Sequence, residues 1–107
     1  MKFLVMTSRK EGIITGLPPK DLYEAFKKNV DYFVNLQKKG KIVAMGGIAG
    51  QHGSYKIFTV EDREELKELI NNAPLSAITD DQIHQIVEFD AVLEQLRSRL
   101  GLMTPKV

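Results

Sequence analysis

At 107 residues, with 43% hydrophobic and 27% charged side chains, the sequence is that of one globular domain, without the bias of disorder or of a fibrous repeat. Fifteen basic against fourteen acidic residues leave a formal charge of +1, which argues against a dedicated nucleic-acid binder. No cysteine is present, so disulfides, thiolate metal sites and cysteine nucleophiles are excluded together.

In chain order, the first apolar run, KFLVMTS (2–8), predicts a buried strand. It is shorter than a signal peptide or a membrane span needs, and the cytoplasm is the expected location. RKEGIITGLPP mixes glycines and prolines and predicts a loop, in which Ile13–Ile14 either plugs the core edge or forms a flap. From 19 to 39, Leu22, Phe26, Val30 and Phe33 keep a helical period, Pro18 and Pro19 mark the start, and Gly40 marks the end. KIVAMGGIAG (41–50) and SYKIFTV (54–60) read as two strands of a hairpin. In the second, Tyr55, Ile57 and Thr59 alternate with Lys56, Phe58 and Val60. EDREELKELINNAP then predicts a second helix, with Asp62 and Glu65 in capping-box spacing.

The last third admits two readings. QIHQIVEF (82–89) suits a β-branched strand, with Ile83, Val87 and Phe89 on one side and His84, Ile86 and Glu88 on the other. Its apolar residues also keep a helical period into AVLEQLRSRL (91–100). A strand is favoured because it completes βαββαβ, the ferredoxin-like order. The terminal helix then has Asp90 as N-cap and Gly101 as C-cap, dividing the chain into a domain over 1–90 and a helical tail over 91–107. Two helices cover one face of a four-stranded antiparallel sheet, and the other face needs a partner. A homodimer through the sheets is expected, with the tail helix contacting a neighbouring subunit.

With FLV (3–5), LPP (17–19), LQKKGK (36–41), GQHGSYKIFTVEDREEL (50–66) and PL (74–75) in this order, the sequence resembles the muconolactone isomerase family of the dimeric α+β barrel superfamily. The resemblance covers about residues 2–90. It implies a cofactor-free reaction in which a proton moves within a small unsaturated lactone bearing a carboxylate. It also implies assembly into a dimer, or a larger ring. The chain departs from the family pattern at two places. Gly46–Gly47 stand where the family carries a Trp–Arg pair, and Gln51–His52 where it carries Arg–Tyr.

The glycines of MGGIAGQHGSY lead into a strand, not into a helix N-terminus, so they do not form a phosphate loop. His52 is either a turn residue or an acid–base group reaching the barrel mouth. His84 and Glu88 share the proposed strand face, as contact residues between subunits or as pocket residues. Tyr55 matches a family tyrosine, as a packing residue or a catalytic acid. His52, His84, Glu88 and Tyr55 are therefore the candidate catalytic residues, with no cofactor, metal, nucleic acid or membrane expected. Two functions stay open: an isomerase-type proton-transfer enzyme, and a non-catalytic small-molecule-binding or assembly protein that has lost the carboxylate-gripping arginines.

Overall fold

The computed structural model describes residues 1–10, 18–50 and 53–103. Strand β1 (Lys2–Arg9) leads to helix α1 (Pro19–Lys38), strands β2 (Ile42–Ile48) and β3 (Gly53–Thr59), and helix α2 (Arg63–Asn71). A 3-10 turn at Ser76–Ile78 precedes strand β4 (Thr79–Ile86) and helix α3 (Phe89–Met103). The strands lie antiparallel in the order β2-β3-β1-β4, as the ferredoxin-like reading requires. Ile13 and Ile14, expected to form a plug or flap, lie outside the described residues.

Local chemistry sets the helix ends. After α1 the Gly40 amide reaches the Gln37 carbonyl (3.1 Å), and the Gly40 φ of +79° turns the chain so that the Lys41 amide reaches Leu36 (3.0 Å). These two bonds satisfy carbonyls that a helix end otherwise leaves open. At the start of α2 the Asp62 carboxylate accepts from the Glu65 amide (2.8 Å), and Glu65 accepts from the Glu61 amide (3.1 Å).

α1 is rotated slightly from its expected stripe. Its inward line runs through Leu22, Phe26, Asn29, Phe33 and Leu36, while Val30 is 57% exposed and Tyr23 is 70% exposed. Spacings of 4, 3, 4 and 3 follow the helical period, so a polar Asn29 takes the place expected for Val30.

The register sorts the sheet into two faces. Toward the helices point the rows Gln85–Phe3–Phe58–Ile42, Ile83–Val5–Lys56–Met45 and Asp81–Thr7–Ser54–Gly47. Phe3, Val5, Phe58 and Ile42 join Phe33, Leu36, Val60, Leu66 and Ala73 in one core. Away from the helices point His84–Leu4–Ile57–Ala44 and Gln82–Met6–Tyr55–Gly46.

The expected fourth strand over 82–89 is corrected to Thr79–Ile86. Pairing sets these bounds: all eight residues of β1 are matched, from Lys2 opposite Ile86 to Arg9 opposite Thr79. An edge strand is thus as long as its single neighbour, whatever its own apolar run. Val87 and Glu88 become a link and Phe89 opens α3, so the proposed faces hold for Ile83, His84 and Ile86 but not beyond. Asp90 lies inside the first turn of α3 instead of capping it, and Gly101 lies within the helix.

Candidate functional site

The polar row Asp81–Thr7–Ser54 crosses three strands on the face that the helices cover. Thr7 Oγ1 donates to Asp81 Oδ1 at 2.5 Å. One rung further in stands Lys56, only 6% exposed and the one buried charged side chain among the described residues. Its Nζ donates to Ser54 Oγ (3.1 Å) and rests 4.2 Å from the centre of the Phe33 ring. Burial pushes its pKa below the usual lysine value, and the Asp81 carboxylate opposes that shift. Among the described residues no carboxylate forms an ion pair with it.

Open space surrounds this amine. A cleft of about 810 Å³ runs from Lys56 and Ser54 to Arg9, with Phe26 and Asn29 on its helical wall. A second, of about 490 Å³, lies on the β2 side, between Val30, Phe33, Met45 and Lys56. Arg9 stacks on Phe26 at 5.2 Å, holding a guanidinium at the cleft mouth. Asn29 Oδ1 accepts from the Leu75 amide (3.2 Å) and ties α1 to the segment after α2. A buried amine beside hydroxyls, with a guanidinium at the rim, offers a proton-transfer group and an anion-binding group to a small molecule.

Of the candidates from the sequence, Tyr55 lines the second cleft together with Lys56 and Gly46, whereas His84 and Glu88 line neither cleft. Tyr55 and His84 lie on the uncovered face, on either side of β1, with Leu4 and Met6 between them. Tyr55 packs over Gly46: a Cβ built there would sit 2.8 Å from Tyr55 Cε1. This close approach, not a ligand, accounts for that glycine. Glu88, past the end of β4, pairs with Lys2 at 3.1 Å in an exposed contact. His52 lies outside the described residues. Lys56, Asp81, Thr7, Arg9 and Asn29 were not singled out from the sequence. Lys56 had a legible signal, since it alternates in phase with Phe58 and Val60 and so is a lysine on the core side of its strand.

Among the described residues no three His, Asp or Glu side chains cluster as a metal site, and no helix is long and apolar enough to cross a membrane.

The sequence family described as muconolactone delta-isomerase matches residues 1–91. The chain belongs to the muconolactone delta-isomerase family. A muconolactone delta-isomerase of Rhodococcus opacus is 39% identical over 64 residues, spanning 60% of this chain and 69% of that protein. A muconolactone isomerase crystal structure superposes with a TM-score of 0.73 at 22% identity, covering 82% of this chain and 90% of the other. A 5-chloro-2-hydroxyhydroquinone dehydrochlorinase of Burkholderia phenoliruptrix, in complex with 2,5-dihydroxybenzoquinone, matches at TM-score 0.59 and 18% identity, covering 82% and 95%. At these identities the two structures speak for the fold, and the sequence match for the family.

Proposed function

We propose that the helix–sheet cleft is a cofactor-independent proton-transfer site, isomerising a small carbonyl or lactone compound that bears a carboxylate. The observation that carries this reading is Lys56, an amine with a lowered pKa buried beside an open cleft. As the free base it removes a proton from the carbon next to the carbonyl, leaving an enolate and a lysine ammonium. The ammonium returns that proton to another carbon of the conjugated system, so the double bond moves and the proton count is unchanged. Ser54 Oγ orients the amine, the hydroxyl of Thr7 stands in the same polar row, and Arg9 receives the carboxylate at the mouth. Family membership supports the reaction class. The uncovered face, with Leu4, Met6, Ile57 and Ala44, is assigned to contact with a second copy of this cytoplasmic chain. In this reading His84 belongs to that contact, and Tyr55 stands between it and the β2-side cleft.

The test is deuterium incorporation from heavy water into muconolactone, followed by proton NMR. The wild-type chain should exchange above buffer, and Lys56→Met should be slower by about a hundredfold or more, while His84→Ala stays near wild type. Full exchange by Lys56→Met overturns the assignment of the base. No exchange by the wild type would favour the non-catalytic binding or assembly protein, consistent with glycines at 46 and 47 in place of the family's Trp–Arg pair.

A further inference from the structure

Helix α3 carries a pattern that neither the core nor the cleft uses. Phe89, Leu93, Leu96 and Leu100 succeed one another at spacings of 4, 3 and 4, the repeat of a two-stranded coiled coil. Phe89 is 71% exposed, Leu96 48% and Leu100 59%, and none of them joins the core. The molecule measures 70 Å along its longest axis against 30 and 23 Å across. The family match stops at residue 91, so nearly all of α3 lies beyond it. A single helix of 15 residues is marginal in water without a packed face.

We propose that α3 pairs antiparallel with α3 of a second copy of this chain. Charge selects both the occupant and the direction. Setting Phe89 against Leu100 of the other copy, and Leu93 against Leu96, gives four apolar layers about a two-fold axis between residues 94 and 95. In that register Asp90 faces Arg97 of the other copy, and symmetry repeats the pair. The apolar stem of Arg99 crosses Val92. A parallel pairing instead brings Val92 opposite Arg97 and joins no opposite charges. Among the described residues of one chain, Arg97 forms an ion pair with the exposed Glu94 alone, at 3.5 Å, a contact that costs little to exchange. An apolar line with self-complementary flanking charges suits another copy of itself better than a membrane surface, which calls for a uniformly basic polar face.

Sedimentation velocity on the full-length chain tests the proposal. Leu93→Asp/Leu96→Asp should weaken self-association by about tenfold or more, with the thermal midpoint of the domain unchanged because neither residue is in the core. Asp90→Arg and Arg97→Asp should each weaken it, and the double exchange should bring it back toward wild type. Asp90→Arg also opposes the helix dipole, so its helicity is checked by circular dichroism; Arg97→Asp, outside the first turn, is free of that complication. Unaltered association of the double leucine variant overturns the pairing. A double charge exchange no stronger than the single variants overturns the antiparallel register.

Discussion

The two faces of the sheet have opposite designs. The covered face holds the large buried side chains Phe3, Phe58 and Ile42, and among them one buried lysine. The uncovered face carries medium-sized apolar residues, a tyrosine and a histidine, and its residues do not join the helix-packed core among the described residues. Burying a lysine amine is unfavourable, and a protein that folds for stability alone has little reason to keep one. The covered face therefore gives up stability at one position, where a cleft opens beside it, whereas the uncovered face has the composition of an association surface. The proposed chemistry and the proposed association would thus lie on opposite sides of one sheet.

Substitutions can break or sharpen this contrast. The largest effect is expected for Phe58→Ala, which empties the centre of the covered face and should cost about 3–5 kcal/mol in chemical denaturation. Ile57→Ala, one residue along but on the other face, should cost the single chain far less and should instead weaken association. Gly46→Ala should cost about 1–2 kcal/mol, because the new methyl group meets the Tyr55 ring; adding Tyr55→Ala should recover most of it.

Lys56→Met should raise stability by about 1 kcal/mol while slowing proton exchange by about a hundredfold or more, the trade expected if Lys56 is the base. The pH dependence has a definite sign. The folded chain holds Lys56 below the ordinary value near 10.5, so the unfolded chain binds more protons in between. Wild-type stability should therefore rise with pH toward that value relative to Lys56→Met. Glu88→Ala should change stability by less than about 0.5 kcal/mol, since its ion pair with Lys2 is exposed.

Elements with strong periodicity were legible in the sequence. α1, α2 and the β2–β3 hairpin follow from apolar spacing, the Asp62–Glu65 box and Gly40, because each is set by interactions within a few residues. β4 was misplaced by three residues, since its ends follow from pairing with β1, on the far side of two helices in sequence. The site was legible only in part. Lys56 stood in phase with Phe58 and Val60, but its neighbours Thr7, Asp81, Arg9 and Asn29 are gathered by strand register and by a small rotation of α1. No spacing along the chain announces either. The histidines attracted notice because their chemistry is versatile, yet His84 faces the uncovered side.

The polar makeup of β4 has one more consequence. β4 ends the sheet, so one side of its backbone has no neighbouring strand among the described residues. Thr79, Asp80, Asp81, Gln82, His84 and Gln85 give that border charge and hydration where an apolar strand would invite unlimited edge-to-edge growth. By that argument these polar side chains disfavour fibrous growth from this edge, so the proposed contacts through the open face and α3 can produce closed assemblies.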